Sequence, residues 1–309
     1  MAVNDIQAKK IYVYFPVAGD AVRAVDGVEM KFAAGECTVI VGESGCGKSV
    51  LGQAVLGILP DYVQVSGRLL FNGADILKSR SADFYGKIMS IVPQNPGDSM
   101  NPIRKIGKQM EDIYAAAGLE DRANVQKIAA LRSFGLDEAE RVLSCYPHEL
   151  SGGMQQRVLC AMSMLRKPLW ILADEPTKGL DEKTAAVVYE NLLRLKKECR
   201  CSMIIITHDI ALAKSLGDKM AVMYAGQVLE AGAEVLAEPL HPYTRAFLAS
   251  LPQNGFQPMR GQAPSPEARP AGCKFAPRCD YCSERCLEAE PPDYKVGDTA
   301  VRCFLYAES

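Results

Sequence analysis

Residues 42–49 form a glycine-rich motif that restricts what this chain can fold into. They read Gly-Glu-Ser-Gly-Cys-Gly-Lys-Ser and match the pattern G-x-x-x-x-G-K-[ST] at every fixed position. The apolar run Thr38 to Val41 predicts a buried strand before the motif, and the segment Val50 to Leu59 predicts a helix after it. A strand, a glycine-rich loop and a helix in this order predict an α/β fold with a nucleotide phosphate site.

The chemistry of phosphate binding explains the residue types of this motif. Glycines allow successive backbone N–H groups to point inward at phosphate oxygens. Lys48 supplies a positive charge to the β- and γ-phosphates, and Ser49 offers a hydroxyl to Mg²⁺. The dipole of the following helix also favours a bound anion. The residues that we expect to contact ATP and Mg²⁺ are Gly42, Glu43, Ser44, Gly45, Cys46, Gly47, Lys48, Ser49 and Val50.

Two acidic residues follow a second apolar strand. The run Leu169 to Ala173 predicts a buried strand, and Asp174 and Glu175 come directly after it. Two carboxylates at the end of a buried strand are costly unless they hold a cation or a proton. Asp174 is suited to binding Mg²⁺, directly or through water, and Glu175 is suited to act as general base on the attacking water. The pair therefore predicts ATP hydrolysis as well as ATP binding.

A third motif indicates a family. Residues 150–157 read Leu-Ser-Gly-Gly-Met-Gln-Gln-Arg. This sequence resembles the LSGGQ signature of ABC-type ATPases, with methionine in place of the fifth residue. We expect Ser151, Gly152 and Gly153 to start a phosphate-contacting helix that continues to Leu165. The resemblance implies that two subunits close head-to-tail around two ATP molecules, so that the signature of one covers the γ-phosphate bound by the other.

The same resemblance assigns roles to residues elsewhere in the chain. Phe15 lies where an aromatic ring stacks on adenine; Tyr14 is a weaker candidate, and Phe15 could instead belong to the core. Gln94 resembles the glutamine that contacts Mg²⁺ and the attacking water. Asp181 resembles the residue that communicates across the dimer, and His208 the histidine that contacts the γ-phosphate. The residues expected to carry hydrolysis are Lys48, Gln94, Glu175 and His208.

The order of strand and helix patterns predicts the organisation of the chain. Strands and helices alternate up to residue 93 and again from 168 to 235, which favours a largely parallel sheet. The resemblance implies a P-loop (RecA-like) ATPase core over residues 1–237, with a helical signature subdomain at about 95–167. Residues 238–309 are then a small cysteine-rich extension. Only one phosphate loop and one signature are present, so a second ATPase chain, identical or different, must complete the site.

The segment after residue 240 indicates a branch of this family. It contains His241-Pro242-Tyr243-Thr244 and later Gly272-Cys273 and Arg278-Cys279. These motifs resemble the C-terminal extension of ATPases from oligopeptide, dipeptide and nickel importers. The resemblance implies that the chain works with two membrane permease subunits and an extracytoplasmic substrate-binding protein. Peptides are slightly favoured as cargo because they predominate in the branch, while nickel or a nickel chelate remains an alternative.

Five cysteines are concentrated in this extension. Their spacing is C-x5-C-x2-C-x3-C-x16-C, and few aliphatic residues follow Pro252, so we expect little core and a metal in its place. Ligation by thiolates alone indicates an iron–sulfur cluster or zinc, with unmetallated thiols as a third reading. The resemblance implies a [4Fe–4S] cluster. The ligands that fit it are Cys273, Cys279, Cys286 and Cys303, with Cys282 as a possible substitute.

Net charge and the length of the apolar runs argue against two classes of protein, those that bind nucleic acid and those that span a membrane. The net charge of −2 gives no sign of nucleic-acid binding. Apolar runs are far shorter than the roughly 18–20 residues needed to span a bilayer. We therefore expect a peripheral protein on the cytoplasmic face of the cell membrane. A soluble ABC ATPase acting on DNA or ribosomes is a distant alternative, and the signature and His208 argue against a metabolic P-loop kinase.

Overall fold

The computed structural model describes residues 4–17, 20–78, 80, 84–93, 96–116, 118–119, 124–198, 201–265 and 270–307. The chain divides into two compact units. The first contains Met1–Lys78 and His208–Ser309, and the second contains Ser79–Thr207. Within the described ranges, no helix is both long enough and apolar enough to cross a bilayer.

Strands and helices alternate along much of the chain. The strands are β1 (Ile6–Val17), β2 (Asp20–Phe32), β3 (Cys37–Val41), β4 (Gln64–Phe71), β5 (Ala74–Asp75), β6 (Met89–Val92), β7 (Trp170–Asp174), β8 (Ser202–Ile206), β9 (Lys219–Tyr224), β10 (Gln227–Gly232), β11 (Tyr294–Val296) and β12 (Thr299–Val301). The helices are α1 (Lys48–Leu56), α2 (Pro96–Ser99), α3 (Ile106–Ala115), α4 (Val125–Ser133), α5 (Ala139–Ser144), α6 (Gly152–Met164), α7 (Glu182–Glu198), α8 (Ile210–Leu216), α9 (Pro242–Ala249) and α10 (Glu284–Glu288).

The first unit contains two groups of paired strands. Strands β2, β1, β4 and β5 pair in that order and are antiparallel. Strands β11, β12, β10, β9 and β3 also pair in order; β3 and β9 are parallel, and the others are antiparallel. Every residue of β3 is buried, as expected for a strand covered on both faces. The phosphate loop lies between β3 and α1.

The second unit combines a parallel sheet with helices. Strands β6, β7 and β8 pair in parallel, and β7 places Trp170 and Ile171 out of contact with solvent. Helix α6 packs against α4 and α7, and α3 packs against α5. Long apolar side chains on one side of each helix, such as Met110 and Leu131, supply the buried surface that holds this packing.

The α/β fold predicted from the sequence is confirmed, and the extension joins the sheet of the first unit. Strand β12 pairs with β10 through Glu230–Val301 and Ala231–Ala300, so the extension lengthens the sheet of the first unit. Phe275 and Val301 are almost completely buried. Apart from Phe275, Ala276, Pro291 and Val301, no apolar side chain in the described part of the chain beyond Pro252 is buried. The segment therefore adds little core, as its few aliphatic residues predict, and the side chains that it does bury join the core of the first unit.

Candidate functional site

The phosphate loop follows the carboxyl end of β3 and leads directly into α1. Gly47 has φ +101° and caps the helix. A Cβ atom at Gly47 would overlap the backbone carbonyl oxygen of Ala24. The loop therefore needs glycine here for two reasons, its left-handed backbone and the close approach of another chain segment. This close fit fixes the path of the loop before any ligand binds.

Lys48 lies inside the loop. Its ammonium group donates hydrogen bonds to the backbone oxygens of Gly42, at 2.8 Å, and Glu43, at 2.9 Å. The side chain is buried, so this positive charge is held by the carbonyl oxygens of its own loop. Ser49 and Val50 follow in the first turn of α1 and are half-buried. The arrangement provides a cation and a helix N-terminus in the same loop.

The C-terminal extension contacts this loop at Glu43. The Glu43 backbone N–H donates to the Tyr243 hydroxyl at 3.1 Å. The Glu43 carboxylate accepts from the Arg278 guanidinium, also at 3.1 Å. Sequence reasoning missed both residues as parts of the site, although both stand in the motifs that indicated the importer branch. The only signals in the sequence were the adjacency of Arg278 to Cys279 and the place of Tyr243 in the motif 241–244, and neither indicates a contact with residue 43.

Two other candidates belong to the first unit. Phe15 lies in β1 opposite Val22 and is half-buried, so its ring is not part of the buried core. The neighbouring Tyr14 has the Arg23 guanidinium 5.6 Å from its ring centre. His208 is exposed and directly precedes Asp209, whose carboxylate caps the N-terminus of α8. The positions of Phe15 and His208 leave both rings accessible to a ligand.

The acidic pair lies at the carboxyl end of β7 in the second unit. Asp174 is the last residue of the strand and is half-buried, and Glu175 is buried. Glu175 has a left-handed backbone, φ +46°, and its N–H donates to the Ile206 carbonyl at 2.8 Å. Such a conformation costs a non-glycine residue about 1–3 kcal/mol and is concentrated at functional sites. Asp181 lies farther along, where its carboxylate accepts from the Lys183 N–H at the start of α7.

The signature residues form the N-terminus of α6. The Ser151 hydroxyl accepts from the Met154 N–H and caps the helix. Ser151 and Gly152 are exposed, and a Cβ atom at Gly152 or Gly153 would meet nothing within 4 Å. The surface above this helix start is therefore open. Gln94, the remaining predicted contact to Mg²⁺, lies outside the described residues.

The extension contains a small cavity surrounded by thiols. Cys273, Cys279, Cys286 and Cys303 all line it, and its volume is about 110 Å³. Cys282 is exposed and is not among the lining residues. Over the described parts of the chain, no group of three or more His, Cys, Asp or Glu side chains is arranged to hold a metal ion. The four predicted thiol ligands thus share a cavity without converging on one point.

Cys273, Cys279 and Cys303 have raised pKa values, which favours the neutral form of these three thiols. Burial, with smaller contributions from the neighbouring Cys286 and Cys303, raises the pKa of Cys273 to about 11. Burial likewise raises the pKa of Cys279 and of Cys303. At neutral pH these thiols would lose their protons only on binding a cation, because a metal ion deprotonates a thiol that coordinates it. Thiols are the donor type that soft metals prefer, but the four around this cavity do not converge on one point.

His241 lines the same cavity and is fixed in orientation. Its Nδ1 accepts from the Tyr243 N–H at 2.9 Å, which caps α9. Its Nε2 is buried and has no hydrogen-bond partner among the described residues. The backbone N–H of His241 donates to the Glu230 carboxylate, also buried. The start of α9 is therefore held by a network of buried polar groups.

Comparisons with known proteins match the two parts of the chain to two family models. The model described as "ABC transporter" matches residues 25–178. The model described as "Oligopeptide/dipeptide transporter, C-terminal region" matches residues 230–286. The chain is thus similar to ABC transporters in its phosphate-binding part and to peptide transporters in its extension.

Individual relatives match over nearly the whole length. The dipeptide transport ATP-binding protein DppD of Haemophilus influenzae is 38% identical, with 98% of this chain and 95% of the relative covered. The oligopeptide transport ATP-binding protein AppD of Bacillus subtilis is 34% identical, with 98% and 97% covered. Among solved structures, cbiO1 of Clostridium perfringens, part of the ABC transporter complex cbiONQ, has a TM-score of 0.61 and 28% identity, over 75% of this chain and 90% of its own.

A further structural likeness bears on the fold alone. The dimeric ATP-binding cassette MJ0796 bound to ADP and Pi has a TM-score of 0.63 with 23% identity. The alignment covers 74% of this chain and 98% of that cassette. The fold of an ATP-binding cassette therefore accounts for about three quarters of the molecule.

Proposed function

The chain belongs to the ABC transporter family of ATP-binding proteins, and from this we propose that it is the ATP-hydrolysing subunit of an importer that brings peptides across the cytoplasmic membrane. The observation that carries the proposal is the match of relatives named for dipeptide and oligopeptide transport over 98% of the chain. The match to a peptide-transporter model in the extension supports the same branch. These relatives favour peptides over nickel chelates as the cargo.

The proposed catalytic roles follow the local geometry of each unit. Lys48 would bind the β- and γ-phosphates, since its charge already lies inside the loop. Glu175 would activate the attacking water, a role supported by its burial and strained backbone. Mg²⁺, when bound, would neutralise developing phosphate charge; its proposed ligands are Ser49, Gln94 and Asp174. Phe15 would stack on adenine, and His208 would contact the γ-phosphate.

The proposed partners complete the ATP site and the transport path. The open surface above Ser151, Gly152 and Gly153 supports a second ATPase subunit, identical or different, whose bound nucleotide would lie there. Asp181 would communicate across that interface. Two membrane permease subunits and an extracytoplasmic substrate-binding protein would form the rest of the importer, with this chain at the cytoplasmic face of the membrane. The proposed boundaries are 1–237 for the ATPase domain, with a helical subdomain at about 95–167, and 238–309 for the extension.

A glutamine substitution tests the proposed ATPase chemistry. Glu175→Gln keeps the size of the side chain but removes the base, so ATP should bind and stay unhydrolysed. We expect steady-state phosphate release to fall by about 10²–10⁴-fold while ATP affinity is retained. Glu190→Gln, an exposed position in α7, is the matched control and should keep full turnover. Normal turnover in Glu175→Gln would refute the assignment.

Uptake by intact cells tests the proposed cargo. Cells that lack this chain should lose uptake of labelled di- or oligopeptides, and the intact chain should restore it. Uptake of labelled nickel, measured in the same cells, should not change. Loss of nickel uptake with normal peptide uptake would replace the peptide assignment by the nickel alternative.

We propose in addition that the cysteine cavity holds a [4Fe–4S] cluster. Its support is the placement of Cys273, Cys279, Cys286 and Cys303, all half-buried, around one cavity, since a metal deprotonates the thiols that coordinate it. A bound cluster would supply a redox-active centre. Cys282 is proposed not to be a ligand because it is exposed and outside the cavity.

Metal analysis of anaerobically purified protein tests this assignment. We expect about four irons and matching sulfide per chain. Cys279→Ser should lower the iron content, whereas Cys282→Ser, the matched control, should keep it. One zinc per chain would instead indicate a structural zinc site, and absence of both metals would show that the thiols are unmetallated.

A further inference from the structure

The extension is attached to the phosphate loop by a group of side chains that we call the clasp: Tyr243, Lys274, Phe275 and Arg278. Three of them lie in the segment 273–279, which begins and ends with a cysteine of the thiol cavity. All four belong to the first unit, as does the phosphate loop. The clasp therefore joins two features whose bonded residues lie 200 and 235 positions apart in the sequence.

Glu43 is the residue on which the clasp acts. Its N–H donates to the Tyr243 hydroxyl, and its carboxylate accepts from Arg278, both at 3.1 Å. Its carbonyl oxygen accepts from the Lys48 ammonium at 2.9 Å. Both main-chain polar groups and the side chain of one loop residue are thus engaged. Two of these bonds come from the extension and one from the lysine that we assign to phosphate binding.

The base of the clasp is buried and firmly held. Lys274 contacts the Asp26 carboxylate at 2.7 Å and donates to the Ala225 carbonyl at 2.8 Å. Phe275 is buried and packs edge-on against Tyr224, with a ring-centre distance of 5.5 Å. Arg278 is also buried, with a side chain only 6% exposed. These contacts distinguish the clasp from a surface ion pair, whose side chains move freely in solvent.

The charges of Arg278 and Glu43 bear on how the loop binds phosphate. The phosphate loop has to bind a polyanion, yet its second residue is acidic, and an unpaired carboxylate there would repel phosphate. The guanidinium of Arg278 compensates this charge while the Tyr243 hydroxyl orients the adjoining peptide. Solvent screens the pair only in part, because the Glu43 side chain is 29% exposed.

We propose that Arg278 is a positioning residue for ATP: it neutralises and fixes Glu43, so that the C-terminal extension sets the affinity of the phosphate loop for nucleotide phosphates. This inference rests on the proposed ATP site and not on the identity of the metal. Because Arg278 adjoins Cys279, the same contact gives the thiol cavity a direct path to the loop. Any change that moves segment 273–279 would then alter the affinity of the phosphate loop for ATP.

A double-mutant cycle on the full chain tests the proposal. Dissociation constants for ATP and for adenosine are measured for wild type, Arg278→Gln, Glu43→Gln and the double variant. We expect Arg278→Gln to weaken ATP binding by about tenfold, as is common for loss of one partner of a close charge pair. Adenosine, which lacks phosphates, should bind as in wild type. In the Glu43→Gln background, Arg278→Gln should change ATP affinity by less than about twofold, because no carboxylate remains to be neutralised.

Controls separate this effect from loss of structure. Arg245→Gln removes an exposed arginine of the same extension that bonds to Pro239 and Tyr306, and it should leave ATP affinity unchanged. Arg278→Lys keeps the charge and should recover part of the affinity. Glu43→Gln leaves every thiol of the cavity intact. If it restores the ATP affinity lost in Arg278→Gln, the loss cannot be attributed to a change at the neighbouring Cys279.

Three results would overturn the proposal. An equal loss of ATP affinity in both Glu43 backgrounds would show that Arg278 acts without Glu43. An equal loss for ATP and adenosine would indicate general damage to the site. If Arg278→Gln alone does not fold, Arg278→Lys is compared with Arg278→Met, and equal ATP affinity of these two variants would show that the charge at this position has no role. Failure of the wild-type chain to bind ATP would instead refute the proposed function itself.

Discussion

The phosphate loop and the thiol cavity are both candidate ligand sites, but their donor groups are organised differently. The loop offers mainly backbone N–H groups from the contiguous residues 42–49, with Lys48 already inside it. The cavity is lined by thiols taken from positions 273 to 303. Between those positions the chain forms a short helix, α10, and the antiparallel pair β11 and β12. One site is therefore local in sequence, and the other depends on how distant segments pack.

This difference determines what each site tolerates. Backbone donors do not depend on side-chain identity, so the loop is sensitive chiefly to its glycines and its lysine. Side-chain donors must be individually placed, so each lining cysteine and the strands that position it matter. The clasp couples these two kinds of site at Glu43. The comparison thus predicts different classes of damaging substitution in each region.

Removal of the loop cation should produce the largest effect. Lys48→Ala deletes the positive charge assigned to the β- and γ-phosphates, and loss of one such group costs about 10²–10³-fold in turnover. Steady-state phosphate release measures it. Lys295→Ala, at an exposed position of β11 in the extension, is the matched control and should keep turnover. A small effect of Lys48→Ala would mean that backbone donors alone suffice in the loop.

Two glycines of the same loop separate packing from backbone strain. Gly45 and Gly47 both have positive φ, at +79° and +101°. A Cβ at Gly47 would overlap the Ala24 carbonyl, whereas at Gly45 it would meet nothing within 4 Å. We expect Gly47→Ala to lower the free energy of unfolding by about 2–4 kcal/mol and Gly45→Ala by about 1 kcal/mol. Urea titration measures both; equal losses would show that strain alone, not the close approach to Ala24, requires glycine.

The contrast between a site built from contiguous residues and one built from distant segments also explains which features could be predicted from the sequence. The strand, loop and helix around Lys48 were predictable because a local pattern specifies a local structure. Pairing of β12 with β10 was not, since short strands of weak pattern acquire their partner only from the packed fold. The contact of Arg278 with Glu43 joins residues 235 positions apart. No spacing in the sequence could indicate that pair, although its two members stand in motifs recognised separately.

Acid should weaken the extension through His241. Burial lowers the pKa of this imidazole from 6.5 to about 3, with the nearby Arg245 charge acting in the same direction and the Arg302 backbone opposing. Because the folded-state pKa is depressed, this contribution to stability is complete above pH 6.5 and is lost as the pH falls toward 3. Each pH unit in this window should cost up to about 1.4 kcal/mol of unfolding free energy.

A non-titrating cap tests this dependence. His241→Asn keeps an acceptor suited to the helix N-terminus but has no proton to gain. Its unfolding free energy, from urea titrations between pH 7 and pH 5, should fall less steeply than that of wild type. Parallel pH profiles for the two proteins would exclude His241 as the titrating group.

The smallest expected effect tests the link between the two regions most directly. Tyr243→Phe removes the hydroxyl that accepts from the Glu43 N–H, and Tyr306→Phe removes one that donates to the Leu240 carbonyl within the extension. Tyr243→Phe should cost about 1 kcal/mol of stability and Tyr306→Phe about 1–2 kcal/mol, because the Tyr306 hydroxyl also accepts from Arg245 and both changes keep the ring. Only Tyr243→Phe should also weaken ATP binding, by several-fold, since only it releases a peptide of the phosphate loop. Equal ATP affinity in the two variants would mean that the hydroxyl bond stabilises the extension without positioning the loop, and the coupling would then rest on Arg278 alone.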